Sequence, residues 1–355
     1  MPDIDLLKNL SEAFGVSGQE AAVRKIVLDA IKEHVTDIHI DSIGNLTAIK
    51  KGTGERNLRV MIAAHMDEIG FMVMGHDSNG LLKFSNVGGV DDRILPALRV
   101  RVGPEGMPGV ILWTPIHKNR DQDVTKLSNL RIDIGVTSKS AAESKAKRGT
   151  RITFDSEFSL VGDNVMRGKA FDDRAGCALL IELLRGGPYP VDILAAFTVQ
   201  EEIGLRGARI AAQRLQPDVA IVLETTTAHD LPLADADPDE INTPNPGCKQ
   251  GLGPVLTVMD RSMITPPHLL NFLRQVGENH EIPHQLKTAL GGGTDAGSVH
   301  VSNAGIPSMV ISMPARYIHA PRAQLRRDDY DNTLRLVQAA LMDITPQIVS
   351  REAAH

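Results

Sequence analysis

Apolar residues follow two different patterns along the chain, and the order of these patterns predicts its architecture. Near both ends, apolar runs typical of buried strands alternate with segments whose apolar residues recur every three or four positions, as in amphipathic helices. This alternation predicts a layered α/β domain. Residues 17–20 (SGQE) predict a capping box that opens one helix. The residues predicted on the buried side of that helix are Ala22, Val23, Ile26, Val27 and Ile31. The predicted strands are Ile38–Ile40, Leu46–Ile49, Leu58–Ala64, Val191–Val199, Val219–Leu223 and Ser308–Ile311, and the further helices are Arg174–Arg185, Gly207–Leu215, Pro267–Asn279 and Asp329–Ile344.

The middle of the chain, from Gly70 to about Gly162, has a different pattern. Short alternating runs are separated there by Gly, Pro, Asn and Asp, with one helix near Ser140–Lys147, which is typical of a small β-barrel or sandwich. We therefore expect a mixed-sheet α/β domain built from residues 1–67 and 165–355, with a β-rich domain of residues 68–164 inserted into it. His117, in the inserted segment, is expected at the surface.

Composition and charge narrow the class of protein. The 355 residues are 42 % hydrophobic and 23 % charged, with a net charge of −6 and 3 % aromatic residues, which is typical of a globular protein with an ample core and does not favour nucleic acid as a partner. The N-terminus lacks a basic region followed by an apolar one, and no apolar run approaches the roughly 20 residues of a membrane helix. We expect a cytoplasmic protein without a membrane partner. Cys177 and Cys248 lie far apart without CxxC spacing, which excludes a disulfide framework.

Imidazole and carboxylate side chains follow several of the predicted strands. His65 and Asp67 follow one strand, Glu201 and Glu202 follow a second, and Glu224 and His319 follow two others, whereas Asp172 and Asp173 precede a helix. Taken singly, each of these is ordinarily a surface histidine, a solvated acidic pair or a helix N-cap. The tripeptide Asp-Asp-Arg at 172–174 also occurs at 91–93, so it is not specific by itself. Since ligands of open α/β sheets bind at the carboxyl ends of strands, their coincidence indicates a metal site. Such ligands, without thiolate, suit Zn²⁺, Mn²⁺ or Co²⁺, and their number suits two ions.

These residues carry a family resemblance that spans essentially the whole chain. The motifs HMDEIG at 65–70, AFDDR at 170–174, QEEIGLRGA at 200–208, Glu224 after an apolar strand, GGGTD at 291–295 and RYIH at 316–319 resemble, in order, the tetrahedral-type metallo-aminopeptidases. This is the glutamyl/leucyl aminopeptidase family, whose members have often been mislabelled as endoglucanases. The resemblance implies a zinc-peptidase-like catalytic domain.

The resemblance also implies a role for each matched residue. Asp172 would bridge two divalent ions, with His65 and Glu224 completing one set of ligands and Glu202 and His319 the other. Glu201 would be the general base, and Asp67 would hydrogen-bond the His65 imidazole and fix its tautomer. Asp173 and Arg174 would stabilise the loop that carries Asp172. The family frequently has Asp where this chain has Glu224, a departure that we expect to leave metal binding intact.

Three further residues are candidates for substrate binding. By resemblance Gly292 and Asp295, in the glycine-rich stretch, would line the substrate pocket, although a flexible turn is an equal alternative. Arg316 could hold substrate backbone or carbonyl groups, or could form an ordinary salt bridge.

The expected function is removal of N-terminal residues from short peptides by a metal-dependent aminopeptidase. By resemblance, the inserted domain would mediate dimerisation, and dimers would assemble into a hollow dodecamer. A dinuclear carboxypeptidase or N-deacylase is the nearest alternative, but such enzymes usually carry their inserted domain later in the chain. A metal-independent two-carboxylate glycosidase and a non-enzymatic metal-binding protein are more distant alternatives.

Overall fold

The computed structural model describes residues 2–115, 124–231, 247–287 and 291–350. His117, expected at the surface, lies outside these ranges. The helices are α1 (Ile4–Glu12), α2 (Ala21–Ile31), α3 (Lys139–Lys145), α4 (Phe171–Arg185), α5 (Arg206–Leu215), α6 (Pro267–Asn279), α7 (Asp295–His300), α8 (Arg327–Asp343) and α9 (Pro346–Val349). The strands are β1 (Thr36–Ile40), β2 (Leu46–Lys50), β3 (Arg59–His65), β4 (Gly70–His76), β5 (Leu82–Val87), β6 (Arg99–Val102), β7 (Met107–Ile111), β8 (Ile132–Asp133), β9 (Arg151–Phe154), β10 (Ser159–Val161), β11 (Val165–Gly168), β12 (Asp192–Thr198), β13 (Val219–Thr227), β14 (Val255–Thr257), β15 (Gln285–Lys287), β16 (Ser308–Arg316) and β17 (Ala323–Arg326).

The larger sheet has 11 strands and forms the centre of the α/β domain. Its main path runs β1-β2-β12-β3-β13-β16-β17-β11-β10, with β14 paired to β16 and β15 paired to β14. The neighbours β12, β3, β13 and β16 are parallel, so their carboxyl ends meet at one edge. The alternation along β3 assigns Val60 and Ile62 to one core and Met61 and Ala63 to another, on the opposite face. Because both faces are covered, these strands have the continuous apolar runs from which they were predicted.

Helices cover the two faces of this sheet unequally. Residues of α1, α2, α4, α6 and α8 belong to the larger core, and residues of α5 and α7 belong to the smaller one. The predicted mixed α/β class is therefore confirmed. The elements absent from the prediction are α1, α7, α9, β10, β11, β14, β15 and β17, most of which are too short to have a recognisable period.

The inserted segment forms a closed barrel rather than an open sandwich. Its strands close in the order β4-β5-β8-β7-β6-β9 around a separate core in which the Phe71 ring packs edge-on against Phe84 and Phe154. The barrel strands end at Phe154, whereas the predicted segment runs to residue 164. Between them, β10 pairs with β11 of the larger sheet, so the predicted boundary falls inside the β10–β11 hairpin.

The prediction of a capping box before α2 is wrong, because its hydrogen bonds do not form. The helix begins after Glu20, whose side chain accepts from the Gly18 N–H, and no side chain caps the helix. The Ser17 hydroxyl instead donates to the Asp67 carboxylate at 2.6 Å, a long-range contact that a local pattern could not indicate. Val23, Val27 and Ile31 are buried as predicted, whereas Ile26 is half-buried and Ala22 is exposed.

Within the described ranges, no helix has both the length and the apolar composition needed to cross a bilayer.

Candidate metal centre

The parallel strands bring the predicted ligands to one edge of the sheet. His65 ends β3 and is level with Thr198 at the end of β12, from which the chain continues to Glu201 and Glu202. Glu224 lies inside β13, which continues three residues beyond it. His319 follows β16, the strand next to β13. The order of the strands therefore makes neighbours of side chains that are up to 254 positions apart in the sequence.

Two groups of ligand atoms result, and they share one residue. The first contains His65, Asp172 and Glu224, and the second contains Asp172, Glu202 and His319, with the ligand atoms of each group within 4.8 Å of one another. Asp172 Oδ1 lies 3.2 Å from His65 Nε2, while its Oδ2 lies 3.3 Å from His319 Nε2. Because one carboxylate presents an oxygen to each group, Asp172 has the geometry of a bridging ligand.

The backbone around Asp172 is non-helical although it lies in the first turn of α4. Ala170 has φ 53°, Asp172 and Asp173 depart from helical angles, and the peptide bond between these two aspartates is cis. The Asp173 carboxylate accepts from the backbone N–H groups of His65, at 3.2 Å, and Gly176, at 3.0 Å. Asp173 thus links the loop carrying Asp172 to the end of β3, as the resemblance implied.

Several buried carboxylates lie close together at this edge. Burial, followed by the charge of Asp172, raises the pKa of Glu202 to about 8. Burial likewise raises the pKa of Glu224 to about 8, outweighing the opposite effect of the contact with His65. Burial by itself would lower the pKa of His65, but contacts with Asp172, Asp67 and Glu224 raise it well above the ordinary value. The raised pKa values of Glu202 and Glu224 mean that a metal ion would compete with protons for these carboxylates.

The residues fit a pair of divalent cations. Glu202 Oε1 and Glu224 Oε2 are buried and lack any hydrogen-bond partner, although buried polar atoms are normally paired. These two glutamates belong to different groups of candidate ligands. The donors are imidazole nitrogen and carboxylate oxygen, which suit Zn²⁺, Mn²⁺ and Co²⁺. We infer that the unpaired oxygens are available because their partners would be metal ions.

Asp67 holds the backbone that carries the two neighbouring glutamates. Its Oδ1 accepts from the Glu201 N–H at 2.9 Å and its Oδ2 accepts from the Glu202 N–H at 3.2 Å. The His65 Nδ1 atom lies 3.1 Å from the Asp67 backbone carbonyl and 3.5 Å from its carboxylate. Since a carbonyl can only accept, the proton on that ring resides on Nδ1, and Nε2 faces the cluster.

Glu201 lies beside the ligands without belonging to either group. Its Oε2 is 4.0 Å from His65 Nε2. Burial raises the pKa of Glu201 well above its ordinary range, and the Glu224 and Asp295 carboxylates raise it further against the opposing effect of His65. The two adjacent glutamates therefore differ in geometry: Glu202 joins a group of ligands, and Glu201 faces the space next to them.

Glu68 forms a buried ionic network directly behind the centre. Its carboxylate contacts Lys169 Nζ at 2.7 Å and Arg174 at 3.3 Å, and it accepts from the Thr153 hydroxyl at 2.9 Å and the Gly15 N–H at 3.1 Å. Burial lowers the pKa of Lys169 to about 8 despite this contact. Arg174 also donates to several backbone carbonyls, including that of Met66. The network ties the barrel, the N-terminal segment and α4 together.

The candidate substrate residues differ in their surroundings. Gly292 lines a cavity of about 620 Å³ that also contains Asp172, Glu201 and Glu202. Asp295 is 1 % exposed, and its carboxylate accepts from the Thr198 hydroxyl at 2.5 Å. Arg316 forms two contacts with the Asp230 carboxylate, at 2.8 and 3.0 Å, which is the salt-bridge alternative. Burial by itself would raise the pKa of Asp230, but Arg316 and the Gln250 N–H together lower it.

Several residues of this cavity were absent from the sequence-based prediction, among them Lys287 and Gly89. Lys287 lines the cavity, and its Nζ donates to Thr226 Oγ1 at 2.7 Å. Gly89, from the loop after β5 of the barrel, also lines it, and its carbonyl is 2.9 Å from His319 Nδ1. No local sequence pattern around Lys287 or around the Gly88-Gly89 pair indicates that these residues line a cavity.

The chain is similar to several known proteins over most of its length. Residues 44–336 match the M42 glutamyl aminopeptidase family. A putative aminopeptidase from Acetivibrio thermocellus is 38 % identical over 95 % of this chain and 98 % of its own. A TET aminopeptidase from a marine-sediment Thaumarchaeota archaeon is 37 % identical, with a TM-score of 0.90 over 98 % of this chain and 97 % of its own. The TET1 peptidase of Pyrococcus horikoshii, described as able to assemble into a tetrahedron or a large octahedral shell, is 31 % identical, with a TM-score of 0.84 over 96 % and 99 %.

The match covers most of the chain, including the inserted barrel and every residue of the two candidate ligand groups. The expected family is confirmed: the chain belongs to the M42 glutamyl aminopeptidase family and is a metal-dependent aminopeptidase.

Proposed function

We propose that this enzyme removes N-terminal residues from short peptides at a site for two divalent ions, Zn²⁺, Mn²⁺ or Co²⁺. His65, Asp172 and Glu224 would hold one ion, and Asp172, Glu202 and His319 would hold the other. The observation that carries this proposal is the placement of Asp172, whose two carboxylate oxygens face different groups of ligands. When bound, such ions polarise a carbonyl and make water a better nucleophile at neutral pH.

The residues around the ligands would transfer protons and position the catalytic groups. Glu201 would accept the proton of the attacking water and return it to the leaving amine, because its carboxylate borders both the ligands and the cavity. Asp67 would position Glu201 and Glu202 through their backbone N–H groups. Because burial raises the pKa of Glu201, its carboxylate would hold the proton taken from the water until the leaving amine accepts it.

The cavity also supports a preference for the side chain of the N-terminal residue. Thr226 lies two residues beyond Glu224 on β13 and therefore on the same face of the strand, about 7 Å away. Lys287 contacts Thr226, so its ammonium group lies within reach of a substrate side chain near Glu224. Across the described residues, no carboxylate lies within ion-pair distance of Lys287 Nζ. We propose that Lys287 favours glutamate or aspartate as the N-terminal residue of the substrate.

A panel of aminoacyl-p-nitroanilides, assayed with and without chelator, tests the proposed activity. We expect chelator-sensitive release of p-nitroaniline, restored by Zn²⁺, Mn²⁺ or Co²⁺. Cleavage of C-terminal or N-acylated substrates in place of these compounds would favour the carboxypeptidase or N-deacylase alternative. Full activity on a polysaccharide in EDTA would favour a glycosidase, and two bound ions without any hydrolysis would favour a binding protein.

We also propose that the chain forms dimers and, from these, a dodecamer. The Pyrococcus horikoshii relative supports assembly by analogy, and the barrel, a separate folded unit, would supply the dimer contact. A closed assembly would restrict substrates to unfolded peptides. Light scattering on the full chain measures its mass, and a monomer at all protein concentrations would contradict the proposal.

A further inference from the structure

His319, one of the proposed metal ligands, is contacted on one ring nitrogen by its own domain and on the other by the barrel loop. The His319 Nε2 atom faces Asp172 and Glu202, whereas its Nδ1 atom lies 2.9 Å from the Gly89 carbonyl, 230 positions earlier in the chain. Because the carbonyl can only accept, Nδ1 carries the proton and Nε2 keeps its lone pair for a cation.

The other histidine is oriented differently. The Nδ1 atom of His65 contacts the carbonyl of Asp67, two residues later in the same segment. His65 therefore needs nothing from the barrel loop, and the two groups of ligands differ in what holds their imidazole.

The barrel loop also packs against the second carboxylate of the same group. Gly88 has φ +84°, and a Cβ atom at this position would lie 2.7 Å from Ile69 Cγ2 and 3.4 Å from Glu202 Cβ. A Cβ atom at Gly89 would lie 3.4 Å from His319 Nδ1. The loop can approach both ligands because it has no side chains here. Ile69 and Phe154 of the barrel core also border a small cavity shared with Asp172, Glu202 and His319.

We infer that the Gly88–Gly89 loop is a positioning element for the Glu202–His319 metal site, so that the barrel helps to build one of the two sites. This inference rests on the proposed dinuclear function. It assigns the inserted domain a role in metal affinity that is separate from self-association.

Two substitutions and a matched control test the inference on the full chain. Gly88→Ala combines strain at positive φ with a close contact to Ile69. Gly89→Ala is a milder change, because its φ is not positive and the added methyl group meets only the His319 ring. Gly135→Ala is the control, since Gly135 lies in the barrel segment with φ +75° and a Cβ atom there would meet nothing within 4 Å.

Zinc binding to the metal-depleted protein, measured by competition with a chelating dye and by elemental analysis, gives the readout. We expect Gly88→Ala, which must shift the loop and with it the Gly89 carbonyl, to weaken one ion by up to about 10- to 100-fold, the usual effect of losing a partner of a metal-bound histidine, and to leave the other unchanged. Gly89→Ala keeps that carbonyl and adds a methyl group in ordinary van der Waals contact with the His319 ring, so we expect a smaller loss at the same ion. Gly135→Ala should bind both ions like the unsubstituted chain. In a His319→Ala background, Gly89→Ala should cause little further loss, because both changes act on the same site.

Four outcomes would overturn the inference. The first is unchanged affinity for both ions in a folded Gly88→Ala variant. The second is equal weakening of both ions, and the third is the same loss in Gly135→Ala. If the unsubstituted chain binds fewer than two ions, the proposed dinuclear function fails as well, and elemental analysis of that chain separates this fourth case from the others.

Discussion

At the scale of single residues, the neighbours Glu201 and Glu202 are chemically identical but differ in position. Asp67 accepts from the backbone N–H groups of both, and this arrangement directs Glu202 toward His319 and Glu201 toward the edge of the cavity. On the proposed function, a ligand and a proton acceptor would lie side by side on one loop.

Replacement of each glutamate by glutamine separates these two roles. Glu201→Gln should keep two ions per chain and lose activity by about 10² to 10⁴, because the amide cannot accept a proton. Glu202→Gln should lose affinity for one ion and regain part of its activity at high metal concentration. Metal stoichiometry and turnover at low and saturating metal measure both effects. Metal loss in Glu201→Gln with full occupancy in Glu202→Gln would reverse the assignment.

A second prediction at this scale concerns the charge of Lys287. Lys287→Glu should lower kcat/KM for glutamyl relative to lysyl p-nitroanilide by about tenfold to 100-fold, the scale of a hydrogen bond to a charged group. Lys8→Glu, an exposed lysine on α1, carries the same change in charge and should leave the ratio unaltered. A ratio that stays the same in Lys287→Glu would mean that Lys287 does not contact the substrate side chain.

At the scale of elements, the Glu68 network joins the larger sheet, a helix and the barrel. Glu68 follows β3, Lys169 follows β11, Arg174 lies in α4 and Thr153 lies in the barrel strand β9. All four side chains are buried, so each depends on the others to compensate its loss of water.

Glu68→Gln should therefore destabilise the protein strongly. Removing one partner of a buried ion pair typically costs about 3–5 kcal/mol, because the remaining charges are left without compensation. Urea unfolding measures this loss. Asp29→Asn removes a carboxylate from an exposed pair with Lys25 and should cause no measurable change. A loss for Glu68→Gln as small as that for the control would show that Lys169 and Arg174 are compensated by other groups.

At the scale of the whole molecule, the candidate metal centre brings several carboxylates together at the edge of the larger sheet, where the barrel loop also packs. Asp172, Glu201, Glu202 and Glu224 meet within one cluster, and the second group of ligands borders both the α/β domain and the barrel loop. The stability of the chain should therefore depend on bound metal as well as on its cores.

Metal removal should lower activity and thermal stability together. A ligand that binds the folded state at 100 times its Kd contributes about 2.7 kcal/mol, so scanning calorimetry should give a lower Tm after chelation and recovery when Zn²⁺ is added back. Light scattering on the same samples tests whether the assembly also loosens. Undiminished peptidase activity after exhaustive dialysis against chelator, with no metal in elemental analysis, would remove the dinuclear proposal.

The parts of the fold that sequence could predict are those whose signal is local. The parallel strands are continuous apolar runs because helices cover both faces, and the motif residues follow them because the ligand edge lies at their carboxyl ends. The mixed α/β class was predicted from these patterns, and the family and enzyme class were predicted from the motif resemblance; all three are confirmed. The roles of the individual site residues and the domain boundaries remain predictions.

Only the tertiary structure decided which chemically equivalent groups meet. Local sequence does not indicate that Ser17 contacts Asp67 instead of capping α2, that Arg316 pairs with Asp230, or that the Gly89 carbonyl of the barrel faces His319. Each of these contacts joins residues between 50 and 230 positions apart. Its energy therefore depends on how the strands and domains are arranged, and the residues next to it in the sequence do not predict it. Hydrophobic periodicity acts over one turn or one strand, whereas burial and charge pairing act between whichever groups the fold makes neighbours.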